Sequence, residues 1–97
     1  MKPKIKVPKE EIKKFCNAHH IVRFSLFGSV LTNRFTKKSD IDVLVEFDKS
    51  HIPSFFGLAD MQFELEKLFK RPIDLRTPND LSIYFREEVV SNALRIV

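Results

Sequence analysis

Gly28-Ser29-Val30-Leu31-Thr32-Asn33-Arg34-Phe35-Thr36-Lys37-Lys38-Ser39-Asp40-Ile41-Asp42-Val43-Leu44-Val45 carries two polar ends, Gly-Ser and Asp-x-Asp, set ten residues apart and flanked by strand-like apolar runs. At the second end, the alternation through Phe47 predicts a strand with Ile41, Val43, Val45 and Phe47 on one face. Asp40 and Asp42 then share the other face. Carboxylates at adjacent same-face positions lie roughly 7 Å apart and repel by about 2 kcal/mol at an effective dielectric near 20. A divalent cation removes that penalty, and Mg²⁺ suits all-oxygen ligands that leave room for water and phosphate.

At the first end, Val22 to Phe27 reads as another strand, stopped by Gly28-Ser29, after which Val30, Leu31 and Arg34 permit a short helix. Glycine allows close approach of the backbone to a ligand, and a strand followed by Gly-Ser and a helix start aims N–H groups and a hydroxyl at one point. The reading is a phosphate site facing a metal site. Taken singly, Gly-Ser is an ordinary turn and Asp-x-Asp an ordinary polar strand edge; the spacing, the strands at both ends and a later aspartate carry the argument together.

That combination resembles the DNA polymerase β-like nucleotidyltransferase superfamily, and the short chain around it is similar to its smallest branch, the minimal nucleotidyltransferases. The resemblance covers nearly the whole chain and implies a third carboxylate on a later strand, which falls on Asp74 in Arg71-Pro72-Ile73-Asp74-Leu75-Arg76. It implies catalytic and metal roles for Asp40, Asp42 and Asp74, contacts from Gly28 and Ser29 to the nucleotide phosphates, two Mg²⁺ ions, and ATP as substrate. Many relatives follow Gly-Ser with a small residue, an arginine and a glycine; this chain has Leu31, Thr32 and Asn33 there, with Arg34, Lys37 and Lys38 in reach of a triphosphate from the same loop. The resemblance further implies an antitoxin that adenylylates a HEPN-type toxin on tyrosine. Two other readings stand beside it: a non-catalytic module that neutralises a partner by contact, and an adenylyltransferase acting on a small molecule.

Bulk properties agree with one domain. The chain has 97 residues, 43% hydrophobic, with ten phenylalanines, enough for a single core. One cysteine, Cys16, excludes an internal disulfide and a cysteine-based zinc site, as expected of a cytoplasmic protein. No apolar run approaches a membrane span. The net charge of +4 comes from six lysines against two glutamates in residues 1 to 14; the remainder is balanced, with eleven basic and eleven acidic groups. The excess therefore reads as a solvated basic arm, residues 1–7, ahead of a domain over 8–97, and nucleic acid is not expected as a direct substrate.

Pro8, Glu10 and Glu11 predict a first helix ending near His20, with His19 and His20 as packing or capping residues and Cys16 as core. Leu58, Met61, Leu65, Leu68 and Phe69 predict a second helix, with Ser54 near its cap. Pro72 and Pro78 bound a brief strand that turns Ile73 and Leu75 inward and Asp74 outward, and Glu87 to Val97 reads as a final helix. The expected fold is α/β, a small mixed sheet of three strands or slightly more covered by helices, with the first two strands antiparallel so that both motif ends meet one nucleotide.

Overall fold

A computed structural model describes residues 3–97, so Met1 and Lys2 of the expected arm lie outside the described residues. Helix α1, Lys9–His19, places Glu10 and Glu11 in its first turn and buries Ile12, Phe15 and Cys16. It stops where His20 turns left-handed at φ 58°, its amide returning to the Cys16 carbonyl. His19 packs on the Phe15 ring and its Nε2 lies 2.9 Å from Glu64 Oε2, which gives it a packing role. Burial pushes the Cys16 thiol up to about 11, so it stays protonated and inert.

Strand β1, Ile21–Phe27, runs into a 3-10 turn over Gly28–Leu31. A loop then leads to β2, Ile41–Phe47, which lies antiparallel to β1 with Phe27 opposite Asp42 and Leu26 opposite Val43. Helix α2, Phe55–Phe69, starts at Ser54, whose hydroxyl accepts the Gly57 amide, and crosses over to β3, Ile73–Arg76, parallel to β2. After Pro78–Asp80 comes helix α3, Arg86–Asn92, and then β4, Leu94–Arg95. The sheet is mixed and four-stranded, in the order β3-β2-β1-β4.

The last segment departs from the expected helix through Val97. Helix α3 ends at Asn92, Ala93 is extended, and Leu94 and Arg95 pair with Leu26 and Ser25 of β1. Phe24 donates to the Val97 carbonyl at 3.2 Å and accepts from Ile96 at 2.8 Å. The physical reason is the outer edge of β1, whose free N–H and C=O groups take the chain end as a partner.

One face of the sheet holds the core. Phe24 and Leu26 of β1 and Ile41, Val43 and Val45 of β2 pack there with Ile12 and Phe15 of α1, Met61 and Leu65 of α2, and Ile73 of β3. The segment before α1 joins this core: Ile5 and Val7 pack against it, and the Lys4 amide donates to the Val30 carbonyl at 2.8 Å. Lys4 and Lys6 are solvated, but the apolar residues that alternate with them turn the segment into a strap over the Gly28–Leu31 turn.

Candidate active site

Asp42 and Asp74 stand opposite each other in the parallel register of β2 and β3. Their side chains leave the sheet on the face away from the core, because each sits between inward-facing neighbours, Ile41 and Val43 for one, Ile73 and Leu75 for the other. Asp40 is exposed one residue before β2 begins. The backbone there is fixed by the Ile41 amide donating to the Pro72 carbonyl at 3.0 Å, which aligns the starts of β2 and β3. Burial first, then the negative charges of Asp74 and Asp40, push the Asp42 carboxyl up from 3.8 to about 6, while Arg76 works in the opposite sense.

Gly28 closes the other side. Its φ of +76° is a left-handed conformation that L side chains rarely adopt, and a Cβ built on it would collide with Asp42 Oδ2 and lie 3.1 Å from Asp42 Cγ. Any side chain there would have to displace the Asp42 carboxylate and adopt a strained φ. Ser29 follows in the turn, and its carbonyl is held by both the amide and the hydroxyl of Thr32 at 2.9 Å. Arg34, Lys37 and Lys38 are all exposed on the loop beyond.

Two residues outside the sequence-derived set shape the site. Arg76 sits two residues after Asp74 on the same strand face and engages both of its oxygens, Nε to Oδ1 at 3.0 Å and Nη2 to Oδ2 at 3.4 Å. The i, i+2 spacing on a strand is the sequence signal for it. Arg71 donates to the carbonyls of Thr36 and Ser39 at 2.6 and 3.1 Å with its guanidinium 4.3 Å from the centre of the Phe35 ring. It braces the loop that delivers Asp40 against the entry to β3. That contact spans the fold and has no local signature.

Among the described residues, no three His, Cys, Asp or Glu side chains form a group that would hold a metal ion as they stand. The residues nonetheless fit a hard cation: the donors are all oxygen, Asp42 and Asp74 share one register, the Asp42 carboxyl already carries the electrostatic load of its neighbours, and Gly28, having no Cβ, lets its backbone come close to that carboxyl. Such a face can position a cation-bound polyphosphate against main-chain N–H groups and the Ser29 hydroxyl.

A nucleotidyltransferase domain model matches residues 9–96. A curated Methanocaldococcus jannaschii protein, described as a candidate protein adenylyltransferase, is 30% identical over 79 residues, covering 81% of this chain and 83% of the relative. A solved structure of a candidate minimal nucleotidyltransferase superposes with a TM-score of 0.74 at 29% identity, over 89% of this chain and 86% of the other. The fold is also shared with a chain in a structure of a triply AMPylated Shewanella oneidensis HEPN toxin in complex with an MNT antitoxin, at a TM-score of 0.66 and 19% identity, over 92% of this chain and 68% of that one. No helix among the described residues is long and apolar enough to cross a membrane.

Proposed function

The chain belongs to the nucleotidyltransferase domain family, and from that premise we propose that it transfers AMP from ATP, in the presence of Mg²⁺, to a tyrosine of a HEPN-type toxin whose antitoxin it is. The observation that carries the reading is the closure of Gly28 onto Asp42 beside Asp74, since a turn without a Cβ against paired carboxylates serves a ligand that is both phosphate and cation. The protein acceptor is supported by the relative described as a protein adenylyltransferase. The toxin is supported by the complex that shares the fold.

In this reading Asp40 and Asp42 would hold the metal ions and Asp74 would join them on the acceptor side. When bound, two Mg²⁺ ions offset the triphosphate charge and stabilise the entering and leaving oxygens. The backbone at Gly28 and the Ser29 hydroxyl bind the β and γ phosphates. Asp74 receives the tyrosine proton as the phenolic oxygen bonds to the α phosphorus; the bond from that phosphorus to its bridging oxygen breaks, and pyrophosphate leaves. Arg71, by binding the Thr36 and Ser39 carbonyls, fixes the loop that carries Asp40 into β2.

The test is the intact mass of the partner after incubation with this protein, ATP and Mg²⁺. The expected result is a gain of one or more AMP groups, abolished in the Asp40→Asn, Asp42→Asn double variant and by a chelator. Protection of cells by the double variant equal to wild type, with no mass change in either case, would establish neutralisation by contact and overturn the transferase reading.

A further inference from the structure

The basic segment ahead of α1 takes no part in the chemistry above, yet the fold brings it beside the site. The Lys4 amide donates to the Val30 carbonyl at 2.8 Å, and Lys4 walls a cleft of about 410 Å³ together with Thr32, Asn33, Thr36, Lys37 and Arg71. Three of these side chains are cations and none is a carboxylate. Lys13, Arg23 and Arg76 each meet a carboxylate elsewhere on the molecule, whereas Lys4, Lys37 and Arg71 have no such partner among the described residues. Arg71 is the fixed member: its Nη2 serves both the Thr36 and the Ser39 carbonyls, which leaves the Nε and Nη1 donors to spare. Cations gathered at one cleft repel one another, and an anion among them removes that cost.

We propose that this cleft is an anion site apart from the nucleotide's own phosphate contacts, taking a free polyphosphate, with the inorganic pyrophosphate released by the transfer as its nearest source. Naming that source rests on the nucleotidyltransferase reading; the anion site itself does not. The volume is that of a small-ligand site. Ammonium, guanidinium and amide donors on several sides match oxygens spread over tetrahedral groups, where a carboxylate offers two in one plane. Gly28, Ser29 and the three aspartates are all absent from its walls, so binding there needs no metal ion. The cleft is nonetheless close to the transfer step. Thr32 belongs to its wall and holds the Ser29 carbonyl with both its amide and its hydroxyl at 2.9 Å. Pyrophosphate leaving the Ser29 contacts therefore has one turn of backbone to pass.

Calorimetry on the full chain with inorganic pyrophosphate in excess chelator tests the assignment, because without metal the carboxylate face repels the anion. Wild type should bind pyrophosphate saturably, with NMR shifts at Lys4, Asn33 and Lys37. Lys4→Gln should weaken binding roughly ten-fold, the scale of one charge-assisted hydrogen bond, while Lys4→Glu should abolish it and Lys4→Arg should retain it. Docking of the strap uses the Lys4 main-chain amide, so these variants should keep the wild-type melting temperature and Mg-ATP affinity. Absence of saturable binding in chelator would overturn the site, as would equal binding by wild type and Lys4→Glu. Equal affinity for citrate would give the cleft to carboxylates, and a single-stranded RNA that pyrophosphate cannot displace would give it to nucleic acid; either result overturns the polyphosphate assignment. Pyrophosphate binding by a protein that never adds AMP to its partner would remove the nucleotidyltransferase reading and leave the anion site standing. Transfer without metal-free pyrophosphate binding would do the reverse.

Discussion

Strand β2 presents two faces one residue apart. Ile41, Val43 and Val45 are fully buried against the helices, whereas Asp42 stands half-buried on the opposite face beside two other carboxylates. The first face supplies the hydrophobic stabilisation, at about 25 cal/mol per Å² of apolar surface removed from water. The second spends some of it, since burial and like charges make the ionised Asp42 unfavourable. A strand period of two keeps these tasks separate, so a change on one face should leave the other nearly untouched.

The largest effect should come from breaking the site face at its tightest point. Gly28→Ala puts a methyl group where Asp42 lies and forces an unfavourable φ, so transfer should fall by about 100-fold, the scale of a misplaced catalytic group, in single-turnover assays. The core face answers differently. Val43→Ala should destabilise the protein by about 2 kcal/mol in urea unfolding, while the transfer rate per folded molecule stays near wild type.

Asp42→Asn separates the two faces most directly. Folded Asp42 keeps its proton up to about pH 6 while the unfolded chain releases it near 3.8, so this group's effect is to lower stability as pH rises through that window. The shift would amount to nearly 3 kcal/mol if fully felt, and solvent around the half-exposed carboxylate reduces it to about 1 kcal/mol. The amide variant should therefore be more stable than wild type by about that amount at pH 7, lose the advantage below pH 4, and have no transfer activity. Equal melting temperatures across the range would place Asp42 in a relaxed environment.

The smallest effect concerns Arg76, which lowers the Asp42 value from its place beside Asp74. Arg76→Gln should cost only a few tenths of a kcal/mol in stability, as exposed pairs do. Carboxyl titration by NMR should nevertheless show Asp42 moving further upward, and a downward move would mean that Arg76 does not face it.

Strand β2 and its aspartate pattern were legible because alternation is local and its period of two differs from that of a helix. By its own pattern Asp74 was legible only as an outward residue between two prolines, and its place as the third carboxylate came from the resemblance; its register against Asp42 depends on how α2 carries the chain across the sheet. Leu94, Ile96 and Val97 satisfy helical and strand spacing alike, and it is the unpaired edge of β1 that selects the strand. Arg71 acts on Thr36 and Ser39 from a distant part of the chain, which no window of sequence contains. Ile5 and Val7 alternate with lysines, so the charge obscured an apolar side that packs.

The strap they form gives the fold an order in time. Lys4 leaves the ribosome well before Val30, the residue whose carbonyl it binds, so the earliest described part of the chain must wait for a later one before it can dock. Protection of the Lys4 amide from hydrogen exchange would consequently mark the moment when the turn at Gly28 and Ser29 is complete, and a late rise in that protection would date the maturation of the site by a signal from outside it.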